Sequence, residues 1–182
     1  MQSKTLPGFT QSFIEVNGVK LSVHTAGTGK PLLLLHGYPQ THATWGKVAP
    51  VFAENFQCII PDLRGYGESA TPSTDNDHTP YSKRTMAQDM IELMAHFGHE
   101  RFSVIGHDRG ARVSYRMALD HPDHIEKIAI IEVVPTAEMW DRFGAEMAIK
   151  AYHWTFLAQP APLPENMINA DPIAYLEWTL KS

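Results

Sequence analysis

The residues with the clearest chemical potential lie in one short run, Val104 to Arg112, which reads VIGHDRGAR. In its middle Asp108 stands between two glycines, Gly106 and Gly110, after an apolar segment and before a helix-forming one. Glycines at these positions allow a sharp turn that exposes the central residue above the edge of a sheet. The run therefore predicts a strand–turn–helix unit that presents Asp108 as a nucleophile.

An aspartate at this position favours a particular reaction. A serine that attacks an alkyl carbon leaves an ether, which water does not readily cleave, whereas a carboxylate leaves an ester, which water can cleave. Asp108 thus indicates displacement at an sp³ carbon, as in carbon–halogen bonds or epoxides. The simpler alternative is structural, because aspartate is also a common cap of a following helix.

Two backbone N–H groups are expected to assist the later hydrolysis of such an ester. Tyr38 follows the apolar segment Leu32 to Leu35 within His36-Gly37-Tyr38-Pro39, and Arg109 follows Asp108. The N–H groups at these two places are expected to form an oxyanion hole for the tetrahedral intermediate. A tight turn at Gly37 and Pro39 is the plainer explanation, and both can hold.

Arg109 and Arg112 stand three residues apart at the start of the predicted helix, so they share a face. A guanidinium group can grip a carboxylate with two hydrogen bonds and offsets repulsion between an anionic nucleophile and an anionic substrate. The pair therefore predicts a small carboxylate substrate. The alternative is that one or both arginines form surface ion pairs with Asp120 or Asp123.

The sequence around these residues predicts an α/β fold with a mostly parallel sheet and helices on both faces. Predicted strands are Ser12 to Val16, Val19 to His24, Pro31 to Leu35, Phe56 to Pro61, Phe102 to Gly106 and Ile128 to Val134, and predicted helices are Thr44 to Asn55, Lys83 to Phe97 and Arg109 to Asp120. Asn17-Gly18 is a hairpin signal between the first two strands.

The chain changes character after Pro135, which predicts a core over 1–135 and part of a helical cap over 136–182. Within the cap we expect a helix over Glu138 to Phe156, a loop over Gln159 to Pro164 and a helix over Asp171 to Leu180 with Pro172 at its first position. His153 and Trp154 carry N–H groups that could solvate a departing halide, although such a pair alone more often serves packing.

The bulk composition is that of an ordinary globular protein, with 43% hydrophobic and 19% charged residues among 182. A formal net charge of −5 gives no sign of a nucleic-acid or membrane partner. The single cysteine, Cys58, lies in an apolar run and is expected to be a buried, inert thiol. With no leader-like or spanning segment visible, a cytoplasmic location is expected.

Five stretches resemble the α/β-hydrolase superfamily and, within it, the fluoroacetate (haloacetate) dehalogenases. They are HGYPQ from His36, DLRGYG from Asp62, GHDRGAR from Gly106, MALDHPD from Met117, and His153-Trp154 with the later QPAP from Gln159. The first two also occur in epoxide hydrolases and haloalkane dehalogenases. The arginine after Asp108 is more specific, because those two families usually carry tryptophan there.

This resemblance implies a role for each candidate residue. Asp108 would be the nucleophile, Arg109 and Arg112 would hold the substrate carboxylate, and His153 and Trp154 would form part of a halide pocket. Glu132 would be the triad acid that orients the base, where close haloacetate relatives have aspartate; alternatively it is a solvated acid at a strand end. No metal or organic cofactor is implied.

The family's general-base histidine lies in a region beyond residue 182, together with more of the cap, two strands and a last helix. The chain is therefore expected to be a fragment of a longer enzyme, and alone to be marginally stable or prone to aggregate because its sheet would have an open edge. A base role for His153 is a weaker alternative. A homodimer of the longer protein is left open.

Three functional hypotheses follow. The leading one is dehalogenation of a 2-haloacid such as a haloacetate through an ester on Asp108. The second is an epoxide hydrolase with the same nucleophile, which would not need Arg112. The third is a non-catalytic binding module with this fold.

Overall fold

The computed structural model describes residues 1–181. The chain divides into two compact units, one from Met1 to Val133 and one that begins at Val134. The sequence placed this division two residues later, after residue 135. Each unit is described by itself below.

The first unit is built on a six-stranded sheet in the order β1-β2-β4-β3-β5-β6. The strands are β1 (Thr10–Val16), β2 (Val19–Ala26), β3 (Lys30–Leu35), β4 (Phe56–Pro61), β5 (Phe102–His107) and β6 (Ile125–Ile131). Strand β3 is parallel to both β4 and β5, and β5 is parallel to β6. Only β1 and β2 add antiparallel pairings, so the predicted mostly parallel sheet is confirmed.

Turn chemistry explains the antiparallel start of the sheet. Asn17 and Gly18 join β1 to β2 with φ angles of 45° and 68°, both in the left-handed region. Asparagine and glycine are the residues that most readily adopt this conformation in a two-residue hairpin. The predicted hairpin is therefore confirmed.

Three helices accompany the sheet: α1 (Ala49–Ala53), α2 (Lys83–His96) and α3 (Arg109–Asp120). The bounds of α3 match the prediction, and α2 ends one residue earlier than expected. The prediction of one helix over Thr44 to Asn55 was wrong, because a 3₁₀ turn, His42–Trp45, precedes a separate short α1. Pro50 lacks the N–H that a continuous helix would need, but fits the first turn of a new one.

The two faces of the sheet are both buried, because successive side chains of a strand point in opposite directions. Leu33 and Leu35 pack on the side that holds Met90 of α2 and Val113 of α3. Leu32 and Leu34 pack on the other side with residues that include Trp45 and Ala49. Helices on both faces are therefore confirmed. Met86, Met90 and Met94 of α2 are buried in the core on the first of these sides.

Cys58 lies in β4 and is fully buried, as predicted. Burial raises the pKa of its thiol to about 11. Since the thiolate is the reactive form, this cysteine is a poor nucleophile at neutral pH.

Strand β6 differs from the prediction. It runs over Ile125–Ile131 rather than Ile128 to Val134, because its pairing with β5 begins at Ile125 opposite Phe102 and Glu132 turns into the left-handed region with φ 52°. It is also the last strand of the sheet, and its isoleucines Ile128 and Ile130 are each 41% exposed. An open edge of the sheet was expected from the sequence.

The second unit consists of short helices: α4 (Thr136–Asp141), α5 (Ala145–Lys150), α6 (Tyr152–Phe156), α7 (Leu163–Ala170) and α8 (Pro172–Lys181). The single helix expected over Glu138 to Phe156 was wrong, since Gly144 and Ala151 separate three short ones. The loop expected up to Pro164 was wrong at its end. Helix α7 already begins at Leu163, because a proline such as Pro164 fits the first turn of a helix. The helix that starts at Pro172 is confirmed.

Aromatic contacts hold this second unit together. The rings of Trp140 and Trp154 meet edge to face at 5.4 Å, and those of Phe156 and Tyr175 lie 6.0 Å apart. Among residues 1–181, no helix combines the length and the apolar character that a bilayer crossing requires.

Candidate active site

Asp108 occupies the turn between β5 and α3 in a conformation that few aspartates adopt. Its backbone has φ 47° and ψ −114°, and its N–H donates to the carbonyl of Ile131 at 3.1 Å. Its side chain makes no capping hydrogen bond to α3, so the structural alternative of a helix cap was wrong. Strained positive-φ residues that persist in a fold cluster at functional sites.

Two glycines let the chain pass close to this turn. A side chain on Gly37 would meet the Asp108 Cβ at 2.5 Å and its Oδ1 at 2.6 Å. A side chain on Gly110 would meet the carbonyl oxygens of Leu35 and His36 at 2.3 and 2.5 Å. The loop after β3 is thus pressed directly against the Asp108 carboxylate.

The backbone N–H of Tyr38 donates to Asp108 Oδ1 at 2.8 Å. A donor that binds the resting carboxylate here also faces the oxygen on which charge develops when an ester of Asp108 is attacked. Arg109 is the first residue of α3, so its N–H has no carbonyl partner within that helix. Its part in an oxyanion hole stays a prediction, as does that of Tyr38.

The two arginines lie beside the nucleophile in different surroundings. The Arg109 guanidinium lies over the Tyr38 ring, 4.9 Å from its centre. Burial lowers the pKa of Arg112 from its ordinary value, against the opposing charge of Asp108. Asp120 pairs with Arg84 and Arg116 instead, so a surface pair between Asp120 and either arginine was the wrong alternative.

A third cation, Lys83, was missed by the sequence reading. Together with Tyr38, Tyr66 and Arg109 it lines a cavity of about 280 Å³. Burial, together with the charges of Arg109 and Arg112, lowers the pKa of its amine to about 8, although Asp108 acts in the opposite direction. The sequence offers only a weak indication of its role. Lys83 directly follows the capping residue Ser82, at a helix start where acidic residues are favoured.

Glu132 lies directly after β6, and its carboxylate is hydrogen-bonded to His107 Nε2 at 2.9 Å. Its side chain is 77% exposed, so the expected strand-end acid is solvated but also paired. The sequence reading missed His107 as its partner. Strand register could have indicated it, because His107 of β5 lies opposite Ile131 of β6. The triad role of Glu132 stays a prediction.

Buried histidines form a hydrogen-bond network that involves the segment after β3, which contains His36 and His42. Asp62 Oδ1 is hydrogen-bonded to the N–H and to Nδ1 of His42, each at 2.8 Å, and His36 Nε2 accepts the Leu63 N–H at 3.0 Å. Burial favours the neutral form of Asp62, but the hydrogen bonds from His42 outweigh it and leave the pKa of Asp62 below its usual value.

The same network contains the one grouping within residues 1–181 that could hold a metal ion. Ligand atoms of His24, His42 and Asp62 lie within 4.8 Å of one another. Two hydrogen bonds between His42 and Asp62 already use the carboxylate oxygen, which favours a structural role. The expected absence of a metal stays a prediction.

His153 and Trp154 lie on α6 in the second unit. His153 contacts the Tyr152 ring at 6.0 Å, and Trp154 packs on Trp140. Their proposed part in a halide pocket stays a prediction.

Comparison with known proteins identifies the fold. The family model described as the alpha/beta hydrolase fold matches residues 30–182. A fluoroacetate dehalogenase of Burkholderia sp is 44% identical over 95% of this chain and 57% of its own length. A soluble epoxide hydrolase of Corynebacterium sp. (strain C12) is 39% identical over 88% of this chain and 55% of its own.

Solved structures of similar proteins have the same fold. A Pseudomonas aeruginosa protein provisionally described as an epoxide hydrolase superposes with a TM-score of 0.92 at 46% identity, covering 99% of this chain and 60% of that one. The fold class predicted from the sequence is therefore confirmed. The chain spans less than two thirds of the length of these relatives, and they include both dehalogenases and epoxide hydrolases by name.

Proposed function

Because the chain belongs to the alpha/beta hydrolase fold family, we propose that it carries the nucleophile and carboxylate-binding half of a haloacid dehalogenase. The proposed substrate is a small 2-haloacid such as a haloacetate. The observation that carries the proposal is the Asp108 carboxylate, held at a strained turn by the Tyr38 N–H and flanked by Arg109 and Arg112.

The first step is a displacement. One carboxylate oxygen of Asp108 attacks the carbon that bears the halogen, the carbon–halogen bond breaks, and halide departs with the electron pair. The guanidinium groups of Arg109 and Arg112 hold the substrate carboxylate and offset its repulsion from Asp108. His153 and Trp154 would donate N–H groups to the departing halide.

The second step releases the product. Water attacks the ester carbonyl carbon of Asp108, and the developing oxyanion is stabilised by the backbone N–H groups of Tyr38 and Arg109. The bond from that carbon to the substrate oxygen then breaks, the departing alkoxide takes the proton of the new carboxyl group, and the hydroxyacid leaves the regenerated Asp108 carboxylate. The water gives its proton to a base, which the family resemblance assigns to a histidine outside this sequence. Glu132 would orient that histidine.

Ester formation can be tested without identifying the base. We expect incubation of the protein with chloroacetate to give a covalent carboxymethyl adduct on the peptide that contains Asp108, detected by peptide mapping with mass spectrometry. Asp108→Asn should abolish the adduct, because a neutral amide is a far weaker nucleophile. Asp123→Asn, a change at another acid just beyond α3, should leave it intact.

A matching measurement on a longer form of the enzyme follows halide release with a halide-selective electrode. Failure of both assays, with no adduct on Asp108 and no halide released, would eliminate dehalogenation. A non-catalytic binding module would give that result while retaining affinity for the haloacid.

Epoxide hydrolysis is the second candidate, supported by the 39% identity to a soluble epoxide hydrolase. The same Asp108 would open an epoxide, which has no carboxylate for Arg112 to bind. We expect Arg112→Leu to reduce ester formation with chloroacetate at least about tenfold, the effect of losing a charge-assisted hydrogen bond. An equal loss with styrene oxide and chloroacetate would speak against a carboxylate-binding role for Arg112.

A further inference from the structure

Lys83 stands at a position that costs stability rather than adding to it. It is the first residue of α2, whose cap Ser82 accepts the Thr85 N–H at 3.1 Å, and the first turn contains no acidic residue. The positive end of a helix dipole disfavours a cation there. Partial burial of the ammonium adds a desolvation cost.

The contacts of Lys83 within the protein do not offset that cost. Its Nζ lies 3.6 Å from the Met86 sulfur, which is only a weak acceptor. Its cavity is lined by Arg109 and by Tyr38, Tyr66 and Tyr81 rather than by a carboxylate. Arg64, which also lines the cavity, is already engaged with Asp89.

The local charges therefore do not balance. Lys83, Arg109 and Arg112 are three cations that act on one another, and Asp108 is the acid among residues 1–181 that favours a charged Lys83. Burial together with these cations lowers the pKa of the amine to about 8. An anion in the cavity would offset the repulsion and keep the ammonium protonated at neutral pH.

We propose that Lys83 is a specificity-determining residue whose ammonium binds the carboxylate of the substrate, in the cavity beside Arg109. This inference rests on the proposed function. It adds a third cation, from a different helix, to the two arginines that the sequence indicated. A neutral alkyl halide of the same size would gain nothing from it.

The experiment compares chloroacetate with chloroacetamide. The two molecules are of similar size, but the first carries a charged carboxylate where the second carries a neutral amide. The rate of adduct formation on Asp108 is measured against substrate concentration for the unchanged protein, Lys83→Met and Lys83→Arg. The matched control is Arg84→Met, which removes a cation from the next residue; Arg84 is 71% exposed at its side chain and pairs with Asp120.

We expect Lys83→Met to raise the half-saturating concentration of chloroacetate about tenfold or more, as for a charge-assisted hydrogen bond. The kinetics with chloroacetamide should stay unchanged, which also shows that the variant is folded. Lys83→Arg should restore part of the chloroacetate affinity, and Arg84→Met should behave as the unchanged protein.

Equal kinetics of Lys83→Met and the unchanged protein with chloroacetate would overturn the inference while leaving the dehalogenase proposal intact. An equal loss with both substrates, shared by Lys83→Arg, would also overturn it by pointing to a structural role. An absence of any adduct on Asp108 in the unchanged protein would instead be the failure of the proposed function itself.

Discussion

At the scale of single residues, His24 links the buried network beneath the site to the stability of the fold. Its ring is stacked on His42 at 3.7 Å, its Nδ1 is hydrogen-bonded to Ser3 at 2.9 Å, and its Nε2 has no hydrogen-bond partner within residues 1–181. Burial, with the neighbouring His42, lowers the pKa of His24 from 6.5 to about 4. The folded protein therefore keeps this imidazole neutral in mildly acidic solution.

This shift predicts a loss of stability in acid. The unfolded imidazole takes up a proton near pH 6.5, whereas the folded one does so only near pH 4, so the unfolded chain binds more protons between these values. The free energy of unfolding should fall as pH decreases across that window, by at most about 3 kcal/mol from His24. His24→Val should flatten the curve, measured by urea unfolding at a series of pH values.

The control for this prediction is His78→Asn, a change at an exposed histidine in the left-handed region that asparagine tolerates. Its unfolding curve should follow that of the unchanged protein at every pH. Parallel acid losses in His24→Val and the unchanged protein would assign the effect to other groups, such as His36, whose pKa burial also lowers.

The candidate site shows which residues a sequence can reveal. Asp108 and Arg109 are consecutive and framed by glycines, so local pattern alone brings them together. The Tyr38 N–H donates to the Asp108 carboxylate, and its predicted role in an oxyanion hole stays a prediction. Lys83 belongs to a helix that starts 25 residues before Asp108 in the chain. Its proximity is a product of tertiary packing, which no local pattern encodes.

At the scale of elements, prediction succeeded where the hydrophobic pattern agreed with the positions of glycine and proline, which end strands and helices. Strand β4 and helix α3 have the predicted bounds, because the first is apolar up to a proline and the second runs from the glycine turn to His121-Pro122. The predicted helix over Thr44 to Asn55 failed where Pro50 interrupts an otherwise regular apolar spacing. Apolar periodicity continues across such a break, whereas the backbone hydrogen bonds do not.

Strand β6 shows a different limit. The apolar run that suggested Ile128 to Val134 does not reveal where pairing with β5 begins, and the observed strand starts three residues earlier at Ile125. This shift has a consequence for the site, since Glu132 then falls in the turn after the strand. In that turn Glu132 has a positive φ, and its carboxylate is hydrogen-bonded to His107. No other candidate site residue lies near Glu132 in the sequence, so local pattern does not indicate its position.

At the scale of the whole molecule, the sheet ends at β1 on one side and at β6 on the other. Strand β6 pairs with β5 on one edge and ends the sheet on the other. Ile128, Ile130 and Ile131 are 41%, 41% and 39% exposed. A free strand edge with apolar side chains is a template for pairing with another chain. We therefore expect the 182-residue protein to self-associate through this strand.

A charge on that strand should suppress the association, because edge lysines oppose strand pairing between molecules. We expect Ile130→Lys to lower the weight-average mass at a given concentration, measured by sedimentation equilibrium, with little change in the far-ultraviolet circular dichroism spectrum. The matched control is Leu119→Lys on α3, where the residue is 66% exposed but away from the sheet edge. If both lysine variants dissociate equally, or if the unchanged protein is monomeric at high concentration, β6 is not the contact surface.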